Sequence, residues 1–212
     1  MNRDLSKIQK QYNLDTLDEK IVSPDPFVQF DIWMKKAIEI DPYDASAMVL
    51  STVSEDGKPS SRIVLLKHYS KSGFVFFTNY ESRKGAEIEK NSYVCLNFYW
   101  KELERQVRIE GKITKADNVV SDQYFDFRPA DSKIATIASN QSRIIPNRKV
   151  LEAKYEEIKA GDRKLKRPEN WGGYVIIPDK FEYWQGRLSR LNDRVLYELD
   201  DKGEWKIFRL AP

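Results

Sequence analysis

With 212 residues, 41% of them apolar and 12% aromatic, the chain is long enough to bury a core and too apolar to be disordered. Thirty-six Lys and Arg against 33 Asp and Glu give a net charge of +3, too balanced for a dedicated nucleic-acid binder, and no apolar run is long enough for a membrane span or a secretory signal. One cysteine, Cys95, and one histidine, His68, exclude an internal disulfide and argue against a zinc site or a Cys/His nucleophile pair, so a soluble cytoplasmic protein with no metal and a borrowed cofactor is expected.

No composition shift divides the chain, and one domain is expected over 23–212 behind a polar, loosely held arm, 1–22. Asp25 caps a first helix with Pro26 at its first position, and Phe27, Phe30, Trp33 or Met34, Ala37 and Ile40 recur at helical spacing. From residue 47 short β-rich runs follow: AMVLSTV, RIVLLKHY and FVFFTNY, with hairpin turns at Asp56-Gly57 and Ser72-Gly73. A short helix over Ser82 to Lys90 precedes two more strands, YVCLNFYW and RQVRIEGKIT. Residues 119–160 are helical with breaks at Pro129 and Pro146, and Arg163, Lys164, Lys166 and Arg167 read as a solvated loop. The β component ends with YVIIP, KFEYWQG, RLNDRVLYEL and EWKIFRL. Sequential hairpins with few helical crossovers favour an antiparallel barrel or Greek key.

Several segments carry candidate chemistry. In RIVLLK, Arg62 shares a face with Val64 and Leu66, and Lys67 with Ile63 and Leu65, so the strand is apolar on both faces and expected to be central. Its two cations either mark the strand's ends or wait for an anion. Arg83 and Lys84 stand at a helix start capped by Ser82, which suits a phosphate but is common on surface helices. In YFDFRPADS, Tyr124 and Arg128 are four apart, Pro129 stops the helix, and Asp131 or Ser132 can open the next, either as a plain break or as a phosphate cradle. Gln106 and Arg108 alternate with Val107 and Ile109 on the wet side of a strand, and Gln141 and Ser142 look like loop polars. Trp184 offers a flat apolar surface near Arg187, Arg190 and Arg194, which suit a planar or phosphorylated ligand, with Asn192 and with Asp193 free to neutralise a neighbour.

Taken in order, RIVLLK, FFTNYESRK, RQVRIEG, YFDFRPADS, SNQS, WGGY, EYWQG, RLNDR and RLAP resemble the pyridoxine/pyridoxamine 5′-phosphate oxidase family from about residue 25 onward. The resemblance implies a mainly β fold, a split antiparallel β-barrel of Greek-key, FMN-binding type with flanking α-helices, working as a homodimer with FMN between subunits. It implies FMN contacts from Arg62, Ile63, Val64, Leu65, Leu66, Lys67, Phe77, Thr78, Arg83, Lys84, Gln106, Gln141, Ser142, Trp184 and Arg194. Substrate phosphate would meet Lys67, Tyr124, Arg128 and Ser132, and the pyridine ring would lie near Arg190, Leu191 and Asn192, the catalytic pair being Arg190, which orients the reacting carbon, and Asn192, which can donate to the ring's phenolic oxygen. The implied reaction moves hydride from C4′ of pyridoxine or pyridoxamine 5′-phosphate to the flavin and then electrons to molecular oxygen. Two positions depart from the family pattern: Asn192 replaces a histidine, and Gln9 replaces an arginine near Tyr12, a tyrosine that closes over substrate in the family. A split-barrel flavoprotein reductase with another substrate, or a non-catalytic binder of a phosphorylated vitamin, are the alternatives.

Overall fold

The computed structural model describes residues 3–7, 10–161 and 164–212; Gln9 and Arg163 lie outside the described residues. The elements run α1 (Pro26–Ile40), β1 (Ala47–Val53), β2 (Pro59–Leu65), β3 (His68–Ser70), β4 (Gly73–Asn79), α2 (Arg83–Lys90), β5 (Tyr93–Trp100) and β6 (Arg105–Lys115). Then come α3 (Asn118–Phe127), α4 (Ala130–Ala138), α5 (Arg148–Ala160), β7 (Trp171–Gln185), β8 (Asp193–Leu199) and β9 (Trp205–Arg209). The strands join in the order β2-β1-β5-β6-β7-β4-β3, with β8 added on β7 and β9 on β8. The pairs β3–β4, β4–β7, β7–β8 and β8–β9 are antiparallel. Contacts gather the chain into two compact units, each assembled from non-contiguous segments.

The first unit takes the chain up to Met48, Leu96–Glu110 and Pro178–Pro212. Asp25 caps α1 by accepting from the Phe27 amide, with Pro26 at the helix start. The helix buries Phe30, Trp33, Met34 and Ala37, setting Phe30 edge-on to Phe98 at 5.2 Å and Trp33 edge-on to Tyr183 at 5.2 Å. The segment before α1 is tied to this unit: the Asn13 and Leu14 amides donate to the Glu104 carboxylate, the Leu17 amide donates to Asp193, and Tyr12 meets Trp184 edge-on at 5.6 Å.

The second unit takes Val49–Cys95 and Gly111–Ile177. Its core includes Leu50, Phe74, Phe76, Val94, Ile113, Phe125 and Ile176. Here the structure departs from expectation at β2, which stands at one end of the strand order and buries none of its residues. Ile63 is 71% exposed. A proline opens the strand, as suits an edge. The run RIVLLKHY also breaks: β2 ends at Leu65, Leu66 turns into the core, and exposed Lys67 precedes β3 with its amide on the Val75 carbonyl. YVIIP and KFEYWQG form one strand, β7, which pairs β4 as far as Ile176 and β8 from Lys180. Pro178, which has no N–H, sits in the gap between those two ladders.

Candidate functional site

A cavity of about 1250 Å³ opens in the second unit. Its walls come from β2, the end of β4, the start of α2, the α3–α4 junction, the 139–142 turn and one face of α5. Of the residues expected to contact FMN it brings together Arg62, Ile63, Val64, Leu65, Lys67, Phe77, Thr78, Arg83, Lys84, Gln141 and Ser142, and of those expected to hold substrate phosphate Lys67, Tyr124, Arg128 and Ser132. Buried Leu66 is not part of the lining.

Lys84 is buried just inside α2, whose N-cap Ser82 accepts from the Gly85 amide. Its ammonium donates to Thr78 Oγ1 at 3.1 Å, Ser82 Oγ at 3.3 Å and Gln141 Oε1 at 2.9 Å, all neutral oxygens. Burial, reinforced by nearby Arg62, pulls the Lys84 pKa down to about 8. Gln141 Oε1 also accepts from Thr78 Oγ1 at 3.0 Å, so a residue that looked like a loop polar braces the buried cation.

Arg62 donates to the Leu50 carbonyl at 3.1 Å, to the Thr52 and Ser60 hydroxyls and to Glu87 Oε2 at 3.2 Å, while Arg83 Nε reaches Glu87 Oε1 at 2.8 Å. Burial alone would raise the Glu87 pKa; the hydroxyls of Ser60 and Thr52 and the Arg83 guanidinium outweigh it and hold the carboxyl at about 2. Sequence reasoning missed Glu87 because it reads as one more charge on a polar helix.

Elsewhere in the cavity, Tyr124 stacks on Phe77 at 3.9 Å and lies nearly parallel to Trp171 at 6.3 Å. The Arg128 guanidinium sits 4.8 Å from the Trp171 ring centre and donates to Thr136 Oγ1 at 2.6 Å. Burial lowers the Arg128 pKa, against the raising effect of Tyr124, and burial raises that of Tyr124. Neither Asp131 nor Ser132 caps α4: the helix begins at Ala130 after Pro129, which puts both residues in its first turn. Asp131 instead accepts from the Tyr155 hydroxyl of α5 at 2.8 Å. The α5 contribution to the cavity, including Arg148, Leu151 and Tyr155, was also missed; Leu151 and Tyr155, four apart on one face, were its only signal.

Gln106, Trp184, Arg190, Leu191, Asn192 and Arg194 belong to the first unit and do not line this cavity. Arg194 Nε donates to Glu182 Oε1 at 2.8 Å, and Arg108 lies 2.8 Å from Oε2 of the same buried carboxylate. Asp193 neutralises Arg187 and Arg209, each at 2.9 Å. Asn192 Oδ1 accepts from the Arg187 amide at 3.0 Å, while Ser189 and Arg190 take left-handed backbone angles, φ 55° and 61°. Arg190 is exposed and its side chain has no partner among the described residues.

Among the described residues, no His/Cys/Asp/Glu cluster is suited to a metal ion and no helix is long and apolar enough to cross a membrane. Residues 34–160 match the family model described as pyridoxamine 5′-phosphate oxidase, and 171–212 match the pyridoxine 5′-phosphate oxidase C-terminal dimerisation region. A pyridoxine/pyridoxamine 5′-phosphate oxidase of Leptospira interrogans is 46% identical over 214 residues, covering 100% of both chains. One of Burkholderia mallei is 50% identical over 211 residues, covering 98% of this chain and 99% of its own. The crystal structure of PhzG from Burkholderia lata 383, in complex with tetrahydrophenazine-1-carboxylic acid, is 28% identical with a TM-score of 0.88, covering 94% of this chain and 99% of that one. The largely antiparallel sheet with flanking helices is the split-barrel architecture expected from the sequence. With both matched regions, near-complete coverage by the relatives and the shared architecture, the chain belongs to the pyridoxine/pyridoxamine 5′-phosphate oxidase family of split-barrel flavoprotein oxidoreductases.

Proposed function

We propose that the chain is an FMN-dependent oxidase that converts pyridoxine 5′-phosphate or pyridoxamine 5′-phosphate to pyridoxal 5′-phosphate, with molecular oxygen as acceptor and hydrogen peroxide as product, the amine substrate also taking up water and releasing ammonia. The observation that carries this reading is a single cavity lined by two sets of anion-binding groups. Arg62, Arg83 and Lys84 stand with Thr78 and Gln141, and Lys67, Tyr124 and Arg128 stand with Ser132. Its volume exceeds the roughly 300–1,000 Å³ of a pocket for one drug-sized ligand, which leaves room for a flavin and a second molecule.

The fit of FMN rests on Lys84, a buried ammonium bonded only to neutral oxygens; an anionic phosphate is the partner it lacks. Arg62, Arg83, Lys84, Thr78, Gln141 and Ser142 would hold the flavin phosphate end, with Gln106, Trp184 and Arg194 as further flavin contacts. When bound, the flavin supplies the hydride acceptor and the reaction with oxygen. The chain supplies position. Thr136 and the Trp171 ring hold the Arg128 guanidinium before any ligand arrives, so substrate phosphate meets a group whose side-chain freedom is already restricted. Exposed Lys67 adds a cation with no competing partner among the described residues. Arg190 and Asn192 would meet the pyridine ring; Asn192 can donate from its amide nitrogen but cannot carry a proton near neutral pH. The working protein is a cytoplasmic homodimer, consistent with the matched dimerisation region.

The test is to load the purified protein with FMN and follow pyridoxal 5′-phosphate and peroxide in air. A flavin absorption band and both products from pyridoxamine 5′-phosphate are expected; a protein that takes up no FMN refutes the reading. The likeness to PhzG favours a second reading, a flavoprotein acting on a carboxylated polycyclic substrate. Flavin uptake without turnover of either vitamer phosphate would support that alternative, and Arg128 with Ser132 beside it argues for phosphate.

A further inference from the structure

The geometry points to Glu87 as a positioning residue that aims the guanidiniums of Arg62 and Arg83 into the cavity and sets the charge the ligand phosphate meets. The inference rests on the reading of that cavity as an FMN site. Glu87 does not line the cavity, whereas Arg62 and Arg83 both do. Its carboxylate is 6% exposed and is reached from three elements: Thr52 of β1, Ser60 and Arg62 of β2, and Arg83 of α2. Thr52 and Ser60 each donate to Glu87 and accept from Arg62, so the two hydroxyls lock the orientation of both charged groups. Arg83 is 63% exposed, and its bond to Glu87 is the only side-chain hydrogen bond it makes among the described residues.

Charge leads to the same conclusion. Arg62, Arg83 and Lys84 contribute three positive charges and Glu87 one negative charge, a net of +2. A phosphomonoester near neutral pH carries about −1.5 to −2. Without Glu87 three cations would crowd one end of the cavity and repel each other, Arg62 would lose its one anionic partner, and Arg83 would lose its one side-chain hydrogen bond among the described residues. With it, two guanidiniums are fixed around one shared carboxylate, which leaves one positive charge on that trio beside the charge of Lys84.

The experiment compares FMN with riboflavin, the same ring system without the phosphate, by titrating the flavin-free protein and reading quenching of flavin fluorescence. The wild type is expected to bind FMN far more tightly than riboflavin; if it does not, the FMN reading itself fails. In Glu87→Gln, which keeps the shape and removes the charge, FMN affinity is expected to fall about tenfold while riboflavin affinity stays within about twofold, as expected for loss of one charge-assisted bond. This direction separates positioning from bulk attraction, since removing a negative charge would by itself tighten FMN. An unchanged or increased FMN-to-riboflavin preference in Glu87→Gln overturns the inference, as does an equal loss for both ligands, the mark of a purely structural residue. If Glu87→Gln does not fold, Glu87→Asp is titrated in the same way. Its withdrawn carboxylate is expected to lower the preference by a smaller factor, and an unchanged preference, or failure of this variant to fold as well, overturns the assignment.

Discussion

At the scale of single residues, Lys84 and Arg128 have the clearest consequences. The Lys84 pKa falls to about 8 on folding, from 10.5, so between those values the unfolded chain holds a proton that the folded protein has released. Stability of the flavin-free protein should therefore rise with pH through that window. Phosphate binding should change in the opposite direction, because the ammonium is the form that grips an anion: FMN affinity should weaken as pH rises through 8. In Lys84→Met this step should disappear and affinity at neutral pH should drop about 10- to 100-fold, checked by fluorescence titration across pH. Arg128 is held by Thr136 and Trp171 and is set apart from the Lys84 cluster by its bonding. Arg128→Ala should raise KM for pyridoxamine 5′-phosphate about 10- to 100-fold with FMN still bound, as read from steady-state kinetics and the flavin spectrum.

At the scale of elements, α2 supplies Arg83 and Lys84 to the cavity wall and depends on a close approach. A Cβ on Gly85 would stand 1.8 Å from the Tyr80 carbonyl oxygen and 2.5 Å from its carbon, both backbone atoms that cannot swing aside. Gly85→Ala should cost about 3 kcal/mol in urea unfolding of the flavin-free protein, against about 1 kcal/mol for loss of the cap in Ser82→Ala. This helix was legible in the sequence, cap included, as were α1 with Asp25 and Pro26 and the helical break at Pro129, whereas α4 ends at Ala138, eight residues ahead of the break read at Pro146. What escaped has a shared cause. Alternation shows that Ile63 and Leu65 lie on one face of β2, but not whether that face meets a core or a cavity, so an edge strand was read as central. Pro178 looked like a strand end because it cannot join a ladder; between two successive ladders it is accommodated within one strand. Glu87 draws its meaning from Thr52, Ser60 and Arg62, more than 20 residues away in sequence, and no local pattern announces such a meeting. Tyr124, Arg128 and Ser132 do line the same cavity, but neither Asp131 nor Ser132 takes the cap role given to it, because α4 starts one residue before Asp131.

At the scale of the molecule, the matched C-terminal dimerisation region and the first unit's β8–β9 hairpin give an expectation that sedimentation can check: a single species of twice 24.9 kDa, with or without FMN. Saturating FMN should also raise the unfolding temperature, since a ligand at about 100 times its Kd adds about 2.7 kcal/mol. One feature of the chain path bears on how the protein is made. Every residue lining the cavity falls between Ser60 and Trp171, and the unit that holds them ends at Ile177, whereas the other unit needs Pro178–Pro212 to supply β8 and β9. As the chain leaves the ribosome from its N-terminus, the unit that holds the cavity is fully synthesised before the other unit has its last strands. The order of synthesis thus sets an order of assembly, with the walls of the cavity delivered first and the last strands of the segment matched to dimerisation afterwards.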